Sequence, residues 1–128
     1  MPAAKYHLKG DRRIEQGASY WWGLLWKETA EDLVGKDLLL WSARMQIKST
    51  VSAVTPLLSL TSEALGGIVL GDGTGTENIS IHIPPDDTDT LIITSGVYDL
   101  ELVDPDDEVY RLLEGNVQIS LNVTREGA

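Results

Sequence analysis

The sequence contains no cysteine and no phenylalanine. Without cysteine there are no disulfides and no thiolate metal ligands, and the redox character of the compartment leaves no mark on the chain. Long hydrophobic runs are missing too. None reaches the ~18 residues of a membrane-crossing helix, so no membrane partner is expected. The start, Met1-Pro2-Ala3-Ala4-Lys5-Tyr6-His7, lacks the apolar centre of a secretory leader, and synthesis in the cytoplasm is expected. Positive charge is scarce, with ten Lys and Arg against twenty Asp and Glu and a net charge of −10. Binding nucleic acid through counterion release needs a basic face, so nucleic acid is not expected as a partner.

Motifs that carry chemistry are equally thin. Gly71-Asp72-Gly73-Thr74-Gly75 has the glycines of a phosphate loop but not its Gly-Lys-Ser/Thr ending, and no helical pattern follows it. It reads as a hairpin loop. Acids gather in Asp86-Asp87-Thr88-Asp89 and Asp104-Pro105-Asp106-Asp107-Glu108, without the fixed oxygen spacing of a calcium loop. They read as solvated tips, which keep a protein soluble at high local concentration. His7 and His82 are the only histidines. No serine stands in a nucleophile elbow, and no apolar pocket is indicated that would raise one carboxyl of a pair. The sequence therefore predicts no catalytic residue, no cofactor and no metal, and the protein is not expected to be an enzyme.

What the chain does have is alternation. Val117, Ile119, Leu121 and Val123 alternate with Gln118, Ser120, Asn122 and Thr124, the period-two mark of a strand with one dry face. Trp41, Ala43, Met45 and Ile47 alternate in the same way with Ser42, Arg44, Gln46 and Lys48. Further strands are predicted over Ala18–Trp26, Leu57–Thr61, Ile68–Leu70, Asn78–Ile83 and Val97–Val103. Pro84-Pro85 ends the Asn78–Ile83 strand, because proline cannot donate to a ladder. One helical turn is predicted after it, from Pro85, with acids at the end the helix dipole favours. Another turn at Ala30–Leu33 would be too short to matter. Gly115-Asn116 interrupts the final segment, either as a hairpin turn or as a kink in one long strand that changes sheets. Residues 1–12 read as an N-terminal arm or an edge strand, and 13–128 as the domain. With 128 residues, roughly two thirds of the unfolded surface can be buried, enough for one core. Seven to nine short strands with at most one short helical turn predict an all-β fold, a single antiparallel β-sandwich.

Aromatic residues crowd two neighbouring segments: Tyr20, Trp21, Trp22, Trp26 and Trp41. Consecutive strand residues point to opposite faces, so Trp21 and Trp22 cannot both enter one core. One of them is expected on an outer surface or at an interface, where tryptophan and tyrosine are favoured anchors. The competing readings are a second small core under a loop and a carbohydrate-stacking platform. The candidate interface comprises Tyr20, Trp21 and Trp22 with Arg12 and Arg13 of the adjoining segment.

Several words of this sequence resemble a family of small tailed-phage and prophage proteins. They are Arg13-Ile14-Glu15-Gln16-Gly17-Ala18, Ala43-Arg44-Met45-Gln46-Ile47-Lys48, and Gly96-Val97-Tyr98-Asp99-Leu100-Glu101-Leu102. Arg111-Leu112-Leu113-Glu114-Gly115-Asn116-Val117, followed by Val123-Thr124-Arg125, fits as well. The family is also similar to the immunoglobulin-like N-terminal domain of phage baseplate upper proteins. The resemblance implies a virion location in the tail or baseplate. It implies an adaptor role in attaching tail fibres or receptor-binding proteins, and several copies in a symmetric assembly. It implies no catalytic residues. Tyr20-Trp21-Trp22-Gly23 is richer in tryptophan than the family, so this strand is where a partner surface would be distinctive. The chain ends soon after the strand pattern, so a fibre it anchors is expected to be another polypeptide. A capsid decoration or head–tail completion protein is the alternative role, and a carbohydrate-binding module the second.

Overall fold

The computed structural model describes residues 3–29 and 31–123. Met1, Pro2, Ala30, Thr124 and Arg125, which entered the expectations above, lie outside the described residues. Among the described residues nine strands form: β1 (Ala4–Lys5), β2 (Ile14–Glu15), β3 (Tyr20–Leu24), β4 (Ser42–Lys48), β5 (Leu58–Thr61), β6 (Ile68–Leu70), β7 (Ile79–Ile83), β8 (Ser95–Val103) and β9 (Val109–Ser120). The larger sheet has the order β1-β9-β8-β4-β5, with β2 also paired to β9. The smaller has the order β3-β7-β6. This is the predicted all-β sandwich, with one departure: β1 and β2 run parallel to β9, while all other strand pairs are antiparallel. Pro85–Thr88 makes the predicted helical turn, and Gly10–Arg12 adds a short 3-10 turn.

Alternation decides what is buried. Ile79, Ile81 and Ile83 of β7 are fully buried, with Tyr20 and Trp22 of β3 and Ile68 of β6 beside them. Ala43, Met45 and Ile47 of β4, Tyr98, Leu100 and Leu102 of β8, and Val117 and Ile119 of β9 join them in the core, with Ile14, Leu38, Leu60 and Leu91. Burying each such aliphatic side chain contributes about 1.5–3 kcal/mol before the entropy of ordering it.

Residues 3–12 are not a separate arm. Leu8 is completely buried, Tyr6 stacks on Trp22 at 5.4 Å, and the Tyr98 hydroxyl donates to the Tyr6 carbonyl at 2.6 Å. An apolar residue at the register of Val117 finds the core, and the segment becomes an edge of the larger sheet.

The last strand also differs from expectation. β9 is unbroken and stays on β8 from the Val103–Val109 pair to the Ser95–Gln118 pair, so Gly115 is neither a hairpin turn nor a crossing between sheets. The irregularity sits instead between Leu100 and Glu101, where their partners Leu113 and Arg111 leave Leu112 as an extra residue, a β-bulge. Gly115 serves close approach: a Cβ there would collide with the Tyr6 carbonyl. The dry face ends with Ile119, since Leu121 and Val123 lie beyond the strand and are exposed.

Loops are pinned by buried polar side chains. Asn78 accepts from the Trp26 amide at 2.8 Å and donates to the carbonyls of Trp26 and Lys36 at 2.9 and 2.8 Å. The glycine loop is fixed too, because Gly35 and Leu38 donate to the carbonyls of Gly73 and Gly71, each at 2.9 Å.

Candidate interaction surface

Pairing in the smaller sheet sets what its outer face shows. Trp21 lies opposite His82, Gly23 opposite Ser80, and Val69 also opposite Ser80. The Trp21 and His82 rings stack at 3.7 Å with 15° between their planes. Trp21 nevertheless stays 70% exposed, so the stack covers only part of its ring. A β-carbon at Gly23 would strike the Glu77 carboxylate, which therefore lies close over that position. Ser80 donates to the same carboxylate at 2.8 Å.

This face borders a groove of about 540 Å³ lined by Trp21, Leu39, Trp41, Leu65, Val69 and His82 among others. Leu65 is fully exposed and holds a left-handed backbone with φ of 63°. A non-glycine residue in that region is uncommon, and here it turns an apolar side chain into solvent. Leu39 and Val69 are about two-thirds exposed. Contiguous exposed apolar surface is a mark of contact sites.

The five predicted interface residues separate. Trp21 is the surface aromatic. Tyr20 and Trp22 turn inward and are buried, because alternation sends them to the opposite face of β3. The Tyr20 hydroxyl donates to the Arg12 carbonyl at 2.7 Å, and burial pushes its pKa up to about 12. Arg12 keeps its side chain exposed. Arg13 is engaged locally, donating to the Gly10 carbonyl at 2.8 Å and to Glu15 at 2.9 Å. Trp26 meets Trp41 edge to face at 5.7 Å and Trp41 stacks on exposed Tyr110 at 5.6 Å, with both tryptophans packed against the main core. Leu39, Leu65 and the His82 stack were missed. His82 stands on the outward face of β7 between buried Ile81 and Ile83, and its ring partner follows only from the β3–β7 register.

The acidic tips have structural work. Asp104 accepts from the amides of Asp106 and Glu108, each at 2.9 Å. Asp72 accepts from the amide and hydroxyl of Thr74, and those bonds hold its carboxyl below the usual range. Among the described residues no group of three or more His, Asp or Glu side chains is arranged to hold a metal ion.

The outer face of the larger sheet has a different character. Arg44 pairs with Glu101 at 2.7 Å, Lys5 with Glu114 at 3.0 Å, and Arg111 reaches Asp99 at 3.7 Å. Comparison of the chain with models of known protein families and with curated proteins finds no match.

Proposed function

We propose that this protein is a non-enzymatic structural component of a bacteriophage tail, most specifically a baseplate adaptor that helps to attach fibres or receptor-binding proteins. It docks through the outer face of its three-stranded sheet. The observation that carries the docking surface is Trp21, a large aromatic left 70% exposed on a rigid strand beside exposed Leu39, Leu65 and Val69. Trp is a favoured anchor because it removes much apolar area from water at little entropic cost. The tail assignment rests on the sequence resemblance, which spans residues 13–125. Repeated copies in a symmetric tail would convert a modest single contact into a stable ring.

An antibody against the purified protein, applied to phage particles from the source of the gene, tests this. Label at the tail tip is the expected result. Label on the capsid faces would establish the capsid decoration role instead, and particles without label would remove the protein from the virion. The ring surface that His82 leaves uncovered also suits the stacking of a sugar, the carbohydrate-binding reading. Quenching of tryptophan fluorescence by glycans, lost in Trp21→Ala, would favour that reading over protein docking.

A further inference from the structure

The opposite face of the sandwich holds a cleft of about 600 Å³, within the range of small-molecule sites. It lies where β1 runs along β9, and Gly115 makes that approach possible. Three of the ten Lys and Arg of the chain, Lys5, Lys48 and Arg111, line it. They face two carboxylates, Asp99 and Glu114, which leaves a local excess of one positive charge on a chain of net charge −10.

Lys5 and Glu114 pair at 3.0 Å, but the remaining charges are not used up in the same way. Lys48 forms no ion pair among the described residues, and Arg111 reaches Asp99 only at 3.7 Å. Asp99 and Glu114 are direct cross-strand partners, an arrangement of like charges that opposes pairing of β8 and β9. His7 replaces a normal ladder bond: its Nδ1 accepts from the Asn116 amide at 3.0 Å, while the Tyr6 carbonyl turns to Tyr98. That bond requires an unprotonated Nδ1, so in the neutral ring Nε2 carries the proton and is a donor. Val97 supplies an apolar strip between Lys48 and Asn116.

We propose that this cleft is a binding site, separate from the Trp21 face, for a small saccharide bearing a carboxylate. The ligand carboxylate fits Lys48 and the Nε2–H of His7. Its hydroxyls donate to Asp99 and Glu114, and its C–H face covers Val97. A single negative charge matches the local excess. A dianion would meet the two carboxylates without compensation, and a neutral sugar would leave Lys48 unanswered.

Amide NMR of the full chain titrated with glucuronate tests the site, with glucose and acetate as comparisons. Glucuronate should shift the amides of Val97, Gly115 and Asn116 saturably. Glucose and acetate, each offering half of the contacts, should bind about tenfold more weakly or less. Lys48→Gln should weaken glucuronate about tenfold, the loss of one charge-assisted hydrogen bond. Trp21→Ala, on the other face, should leave it unchanged. No saturable shift, shifts confined to the Trp21 face, equal binding of glucose, or wild-type affinity in Lys48→Gln would each overturn the proposal.

Discussion

The two outer faces of this sandwich solve the problem of meeting water in opposite ways. The larger sheet covers its outside with charge in cross-strand register: Arg44, Glu101 and Arg111 in one row, and Gln46, Asp99, Glu114 and Lys5 in the next. The smaller sheet shows Trp21, His82, Ser80, Gly23 and Val69, with no Lys or Arg among them. Exposed ion pairs contribute about 0–1 kcal/mol each, so the charged face gains little stability from its pairs. It loses well-solvated groups whenever a protein covers it. The tryptophan face gains about 25 cal/mol for every Å² of apolar surface covered. The difference is the physical ground for the proposed docking through the smaller sheet and for the proposed small-ligand site on the larger one.

The sharpest test of that division is a pair of neighbours on one strand. Trp22→Ala should destabilise the fold by about 3–5 kcal/mol, because Trp22 is buried between Tyr6 and Tyr98. Trp21→Ala should change stability by less than about 1 kcal/mol, as surface substitutions do. It should nevertheless abolish incorporation into particles. Urea midpoints of both variants, with the protein's abundance in purified particles, check the contrast. A large loss of stability in Trp21→Ala would make that residue structural and break the assignment.

On the charged side, Gly115→Ala should have the next largest effect. The added methyl meets the Tyr6 carbonyl, which is fixed by Tyr98 and cannot withdraw freely. Overpacking of this kind costs about 1–3 kcal/mol. The larger sheet should lose its first strand, and hydrogen exchange at Tyr6 and Leu8 should accelerate ahead of exchange in β7. Equal acceleration in both sheets would mean that the edge is not a separable unit.

These contrasts show what the sequence could carry. Period two placed β4 and the end of β9, with Ala43, Met45, Ile47, Val117 and Ile119 buried, because side-chain direction in a strand depends only on parity. It also forced Trp21 and Trp22 apart without saying which went outward. That choice needs the partner of β3, a contact between residues about sixty positions apart in the chain. Leu8 and Tyr6 were invisible for a related reason: their short segment has no period, and its place is set by the groove that Gly115 leaves in β9. Arg13 looked like an interface cation because a local hydrogen bond to Gly10 has no sequence signature. Leu39 and Leu65 sit in loops, where no alternation marks direction.

Tyr20→Phe tests the junction between the two sheets with a smaller change. It deletes the bond to the Arg12 carbonyl and should cost about 1 kcal/mol. The pH dependence should change as well. The folded pKa of about 12 lies above the ordinary 10.0, so this contribution is complete below about pH 10 and disappears as pH rises toward 12. Alkaline unfolding should therefore be less steep in the variant, and an unaltered alkaline limb would place the effect elsewhere.

Asp99→Asn should have the smallest effect and, at neutral pH, the opposite sign. Burial raises the Asp99 carboxyl, Glu101 and Glu114 raise it further, and Arg111 and Lys48 do not compensate. A raised carboxyl favours the folded state while protonated in both states, and that advantage is lost as pH climbs from 3.8 through the folded pKa. At neutral pH the ionised group is therefore a liability that asparagine removes. The variant should melt above the wild-type protein at pH 7, and the gap should close as pH falls to about 3. In the proposed cleft this carboxylate has a role apart from holding the sheet together. If the role is to receive ligand hydroxyls in the cleft, the same substitution should raise thermal stability while weakening glucuronate. A variant that gains stability and binds as before would assign Asp99 to the charged face alone and move the hydroxyl contacts to Glu114.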